Sequence, residues 1–170
     1  MSFHDSDDRS GQVVSRFARH CTDSVSMVSH VDTNALSNLQ GRVSFIEHSF
    51  FNQQSIVGAA TYLLRLVAHK WDDQSCVRIF KAIVPALEKS PPKTPLLIND
   101  IFLPDLGMES SRFEEHCLRQ VDMMMMTVLG SKQRTITEFA ELLWQSNKRL
   151  KIHRVRKGRN GGLLEVFLIK

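Results

Sequence analysis

The spacing of hydrophobic positions changes repeatedly along the chain. Val14, Phe17, Ala18 and Cys21 fall on one side at helical spacing, which predicts a helix over Val13–His20. Val25–Val31 reads as a short strand, and Arg42–Glu47, "RVSFIE", alternates as a half-buried strand does. Tyr62–Ala68, "YLLRLVA", is apolar enough for a strand covered on both faces. Asp72 and Asp73 then open a helix that carries Val77, Ile79, Phe80, Ile83 and Val84 to about Leu87. Acidic residues suit that first turn because they meet the positive end of the helix dipole. "KSPPKTP" ends the helix, since proline lacks a donor and restricts the residue before it. "LLIND" follows as a second buried strand.

Beyond Pro104 and Gly107 the spacing predicts a long helix over Phe113–Leu129 and another from Thr135 to about Ser146. Thr135 with Glu138 three residues on forms a capping-box pattern. The runs "LKIHRVR" and "LLEVFLIK", joined by "KGRNGG" with the turn formers Asn160 and Gly161, read as a terminal hairpin. Strands alternating with helices imply an α/β domain with a doubly wound, mostly parallel sheet, to which the hairpin adds an antiparallel strand. The expectation is one domain over residues 1–170. Ligands of such sheets bind beyond the carboxyl ends of the strands, so the residues after "YLLRLVA" and "LLIND" are the candidates for chemistry.

Composition narrows the classes of function. The net charge of +4 is too small to imply a nucleic-acid partner. The basic run Lys148, Arg149, Lys151, Arg154, Arg156, Lys157 and Arg159 has no recognition motif beside it and reads as a solvated hairpin. Cys21, Cys76 and Cys117 are scattered, with no metal-ligand spacing, so no metal is expected. The start, MSFHDSDDRS, is acidic and polar, unlike a secretory leader. The longest apolar stretch, Ile56–Ala68, is broken by Arg65 and is too short for a bilayer span. A cytoplasmic protein without a membrane partner is the expectation.

The stretch "GRVSFIEHSFFNQQSIVGAATYLLRLVAHKWDDQSCVRIFKAIVPAL" carries a specific signature. It resembles plant and fungal O-methyltransferases, whose R-V-x-F strand leads through a D-F-F turn to an L-H-x-W-x-D-x-x-C junction. "LLINDIFLP" is similar to the family's next strand, and "RQVDMMMMTVLGSKQRTITEFAELL" to its R-x-x-D-M-x-M and G-x-K-x-R-T blocks. The resemblance implies a Rossmann-like class I catalytic domain that uses S-adenosylmethionine and a small aromatic substrate. It is similar to the C-terminal part of the family's chain, so the preceding dimerisation domain is expected to be absent. A homodimer, or pairing with a full-length relative, is the partner it implies.

Site residues follow from the same resemblance. Methyl transfer to a phenol needs the hydroxyl proton removed, and an imidazole accepts protons near neutral pH. The histidine of the family's H-x-W motif corresponds to His69, with Asp100 as its orienting acid and Gln133 where plant members carry a glutamate. The implied cofactor contacts are Asp5, Gly11, Asp32, Ser49, Phe50, Arg65 and Trp71. Met123 and Met126 are the implied substrate contacts, since thioethers adapt to flat aromatic ligands.

The cofactor loop departs from the family pattern. Without gaps, its three consecutive glycines become Asp7, Asp8 and Arg9, while Asp5 and Gly11 match. Two carboxylates beside the cofactor's own carboxylate repel it by about 1 kcal/mol per close pair. The ribose-binding acid falls at His30, two residues from Asp32. Two functions therefore stand: an O-methyltransferase, or an inactive relative that acts as a binding partner.

Overall fold

The computed structural model describes residues 2–7, 13–19, 43–105, 112–158 and 161–169. Seven strands form one sheet: β1 (Ser2–Asp7), β2 (Val13–Arg19), β3 (Val43–Glu47), β4 (Thr61–Arg65), β5 (Leu96–Asp100), β8 (Leu150–Gly158) and β9 (Gly161–Leu168). Their order is β3-β2-β1-β4-β5-β9-β8. Strand succession thus reverses direction between β1 and β4, as in doubly wound sheets. The short strands β6 (Phe102–Leu103) and β7 (Arg134–Thr135) pair with each other in parallel, apart from the main sheet.

The sheet is mixed, not mostly parallel. Only β2–β3 and β4–β5 pair in parallel; β1 runs antiparallel to both β2 and β4. Five residues separate β1 from β2, too few for the crossover a parallel pair requires. The terminal hairpin β8–β9 is antiparallel, and β9 joins the sheet beside β5. Its expected turn residue Asn160 lies outside the described residues, while Gly161 opens β9 opposite Gly158. The alternation of "LKIHRVR" breaks after Ile152, and the register shifts there by a bulge that realigns Val155 with Leu164.

Val13–Arg19 is a strand, where apolar spacing predicted a helix. The β-branched pair Val13–Val14 and Phe17 suit extended backbone, and pairing with β1 and β3 outweighs local helical spacing. The expected strand Val25–Val31 lies outside the described residues. The strand predicted over Tyr62–Ala68 stops at Arg65, because Leu66 takes a left-handed backbone with φ 52°. Such a conformation costs a leucine about 1 kcal/mol or more. It turns the chain out of the sheet toward the site.

Three helices are described: α1 (Asp73–Glu88), α2 (Arg112–Leu129) and α3 (Ile136–Ser146). Asp72 caps α1 by accepting the Ser75 N–H at 2.7 Å. The capping box of α3 is present as predicted: the Glu138 N–H donates to Thr135 Oγ1, and the Thr135 N–H to Glu138 Oε2. α1 and α3 pack together, α1 against β9 and α3 against β8. Tyr62 and Leu64 of β4, Leu96 and Ile98 of β5, and Leu164 and Val166 of β9 line the buried sheet face. Ile79, Phe80 and Ile83 of α1 with Phe139, Leu142 and Leu143 of α3 complete that core. Each fully buried side chain of this size contributes roughly 1.5–3 kcal/mol.

Two glycines let the hairpin reach the site. A Cβ on Gly161, whose φ is +135°, would stand 2.8 Å from the Asp100 carbonyl oxygen. One on Gly162 would stand 2.6 Å from the Phe102 ring. Only residues without a side chain bring β9 this close to the end of β5.

Candidate active site

The carboxyl ends of β4 and β5 lie side by side, with Arg65 opposite Asn99. Leu66 directs the chain after β4 into a single 3-10 turn, Ala68–Lys70, and this turn carries His69. Asp100, the last residue of β5, faces it. The His69 ring Nδ1 lies 2.9 Å from Asp100 Oδ1, and the His69 backbone N–H donates to Asp100 Oδ2 at 3.4 Å. The Ile101 N–H also donates to Asp100 Oδ1, at 2.9 Å. Two backbone N–H groups and the ring Nδ1 thus converge on a side chain only 1% exposed. A carboxylate acceptor places the ring proton on Nδ1 and leaves the Nε2 lone pair free. The His69 side chain retains 12% exposure.

The segment Ser131–Arg134 lies across the 3-10 turn. Ser131 Oγ donates to the His69 carbonyl. Arg134 Nη1 donates to the Ala68 carbonyl at 2.8 Å and Nη2 to the Trp71 carbonyl at 2.7 Å. Gln133, between them, is 2% exposed, and its backbone N–H donates to Asp122 Oδ1 at 2.7 Å. Its buried Oε1 has no hydrogen-bond partner among the described residues. An orphaned buried acceptor is costly and marks a place where a donor is wanted. The hydrogen bonds of Ser131 and Arg134 to the Ala68–Trp71 turn bring the backbone of Gln133, between them, to the sheet end that holds His69 and Asp100.

The other expected site residues are distributed as follows. Arg65 is exposed at the end of β4. Ser49 follows β3, where its Oγ accepts the Phe51 N–H at 3.3 Å. Phe50 is buried in the core cluster. Trp71 is half-buried, with the Phe51 ring edge-on at 4.9 Å. Asp5 lies in β1 opposite Thr61, the first residue of β4, so the antiparallel pairing puts it four residues from Arg65 along β4. That is roughly 13 Å at strand rise. The gapless alignment of a cofactor loop after β1 therefore does not bring Asp5 to the His69 end of the sheet. Gly11 and Asp32 lie outside the described residues. Met123 and Met126 are exposed on α2, at 63% and 59%. Met126, one turn beyond Asp122, shares its helix face; Met123 is rotated about 100° from Asp122.

Sequence reasoning missed Ser131, Arg134 and Asp122 as parts of this arrangement. Among the described residues Arg134 is the largest fully buried side chain, at 1% exposure. A buried arginine has no signature in periodicity, since its burial depends on partners far away in the chain. Its Nε donates to Asp73 Oδ1 at 2.9 Å, and Lys132 bridges Asp73 and Glu138. Burial of Asp73 opposes its charge, but the Arg134 hydrogen bond and charge, with Lys132, hold its carboxyl below the ordinary value. Behind the turn, Cys76 Sγ donates to the Ala68 carbonyl, and burial pushes its thiol up to about 11. Among the described residues no His/Cys/Asp/Glu cluster is arranged to hold a metal. Nor is any described helix long and apolar enough to cross a membrane.

Known proteins resemble this chain in sequence and in fold. The solved mitomycin 7-O-methyltransferase MmcR superposes with a TM-score of 0.64 at 26% identity, covering 80% of this chain and 38% of that one. The O-methyltransferase NcsB1 from neocarzinostatin biosynthesis, solved with S-adenosyl-L-homocysteine and 1,4-dihydroxy-2-naphthoic acid, gives 0.62 at 25% identity, over 81% and 38%. The O-methyltransferase sol2 of Alternaria solani is 47% identical over 146 residues, 86% of this chain and 34% of that protein. The O-methyltransferase xanE of Aspergillus fumigatus is 38% identical over 125 residues, 73% of this chain and 28% of that protein. The chain thus spans about a third of the length of the curated relatives it matches. The family model described as an O-methyltransferase domain matches residues 12–147, and with the strand order and the relatives above it shows that this chain belongs to the O-methyltransferase domain family.

Proposed function

We propose that the chain forms part of an O-methyltransferase that methylates an aromatic hydroxyl of a small secondary metabolite, with His69 as general base. The observation that carries this reading is the His69–Asp100 pair where β4 and β5 end. With Nδ1–H donated to Asp100, Nε2 is the atom that accepts the phenolic proton, and Asp100 balances the imidazolium formed. Gln133 Oε1, without a partner among the described residues, is available to a donor from the acceptor molecule or from the ring. Met126 and Met123 offer thioethers to a flat substrate.

The residues near this sheet end suit the methyl donor in chemistry. Arg65 offers a cation to its carboxylate, Ser49 a hydroxyl, and Trp71 an aromatic edge beside the site. S-adenosylmethionine, when bound, supplies an electrophilic methyl group. The acceptor class is supported by NcsB1, whose structure holds a dihydroxynaphthoic acid.

Titration calorimetry with S-adenosylmethionine, followed by mass-spectrometric assay on hydroxynaphthoic and phenolic acceptors, tests the proposal. Binding and methyl transfer that His69→Gln abolishes are the expected outcome. Absence of binding heat at millimolar donor sinks it.

A second reading is favoured by α2, which exposes Phe113, Met123, Met124, Met126 and Val128. Such exposed apolar side chains suit pairing with a second copy or a full-length relative. A strictly monomeric light-scattering profile without apolar-dye binding argues against it.

A further inference from the structure

We propose that Arg134 is a positioning residue for His69, holding the imidazole against Asp100 by gripping the backbone on both sides of it. The inference rests on the reading of His69 as base. A 3-10 turn of three residues is a weak holder: Lys70 N–H donates to the Val67 carbonyl at 3.1 Å and Trp71 N–H to the Ala68 carbonyl at 3.2 Å. Left to itself, such a turn opens easily, and the ring it carries moves with it.

Arg134 supplies what the turn lacks. Its guanidinium is planar, with donors in a fixed fork. Nη1 takes the Ala68 carbonyl, before His69, and Nη2 the Trp71 carbonyl, after it, so a rigid plate sets the spacing between the two. The plate is itself fixed. Nε and Nη2 lie 2.9 and 2.8 Å from Asp73 Oδ1, and Asp73 is the first residue of α1. The Arg134 backbone pairs with Phe102 in the β6–β7 ladder, two residues beyond Asp100. Base and orienting acid are thus referred to one residue: His69 through the two carbonyls its side chain holds, Asp100 through the backbone ladder. Ser131 adds a third grip, on the His69 carbonyl itself. A fully buried cation placed only for stability needs a carboxylate partner, which Asp73 provides; straddling the histidine with Nη1 and Nη2 is the additional feature.

The test reads His69 directly and needs neither donor nor acceptor. Long-range proton–nitrogen NMR reports which ring nitrogen carries the proton, and hydrogen exchange reports the turn. In Arg134→Gln, the His69 Nδ1–H and the amides of Lys70 and Trp71 are expected to exchange about tenfold faster, with Leu164 and Val166 of β9 unchanged. Arg134→Lys, which reaches one carbonyl, is expected in between. Wild-type rates at His69 in folded Arg134→Gln overturn the proposal, as does equal acceleration in β9, which marks a merely structural role. Should Arg134→Gln fail to fold, Asp73→Asn and Ser131→Ala read the same signals. A gain of about threefold confined to residues 69–71 supports the proposal, and unchanged rates in both overturn it. Because no methyl transfer is measured, failure here and failure of the proposed reaction are separate results.

Discussion

Asp100 meets His69 with both of its oxygens, Oδ1 at 2.9 Å from the ring Nδ1 and Oδ2 at 3.4 Å from the backbone N–H of the same residue. One carboxylate therefore sets both the position of the histidine backbone and the tautomer of its ring. Asp100→Asn keeps the size of the side chain but presents an amide that can donate. The ring is then free to carry its proton on Nε2, where it cannot accept another. Methyl transfer is expected to fall by about 10²–10⁴, with the circular dichroism spectrum unchanged. Steady-state assay of the variant beside wild type checks this; full activity removes Asp100 from the mechanism.

Gln133 gives a prediction in which stability and activity separate. Its buried Oε1 lacks a partner among the described residues, which typically costs about 1–3 kcal/mol. Gln133→Met removes that acceptor at similar volume. The thermal midpoint is expected to stay at or above wild type while methyl transfer drops. A lowered midpoint shows that the amide is satisfied in solution.

The thiol of Cys76 is fully buried and pushed up to about 11, whereas Cys117 on α2 is half-buried. Iodoacetamide at pH 8 is expected to modify Cys117 and spare Cys76 in the native protein, since the thiolate is the reacting form. Cys76 reacts once denaturant is added. Peptide mass spectrometry reads both conditions. Native labelling of Cys76 means that the Ala68–Trp71 turn opens freely.

The ion network at Asp73, Lys132, Arg134 and Glu138 predicts an acid limb of stability. Glu138 is held below its ordinary 4.5: burial opposes its charge, but the Thr135 backbone N–H and Lys132 prevail. Asp73 is likewise held below 3.8. Groups depressed on folding stabilise fully above their unfolded values, and that contribution disappears as pH falls through the lower folded values. Stability is therefore expected to decline from about pH 4.5 downward, and Asp73→Asn or Glu138→Gln to flatten part of that decline. Both carboxylates are more than a third exposed, so each contributes less than about 1 kcal/mol, and added salt reduces it. Urea unfolding between pH 3 and 6 measures the slope.

Local chemistry determined the three helices, the strand at "LLIND" and the terminal hairpin, but not the early end of β4, the 3-10 turn after it or the short strands β6 and β7. Helix α1 was legible from Asp72 and the apolar spacing behind it, α3 from the Thr135–Glu138 box, and the hairpin from two alternating runs around glycines, because caps, periods and turns act within a few residues. His69 and Asp100 were legible as a base and its orienting acid through the family resemblance, and the rule that ligands bind beyond the carboxyl ends of strands agreed with it. Pairing across the sheet was not legible. Val13–Arg19 has the spacing of a helix and the β-branched content of a strand, and only its neighbours β1 and β3 decide between them. The burial of Arg134 and the orphaned acceptor of Gln133 were equally invisible. An arginine or glutamine is polar in any sequence window, and whether it is buried, and against what, is set by carbonyls and carboxylates more than sixty residues away in the case of Arg134.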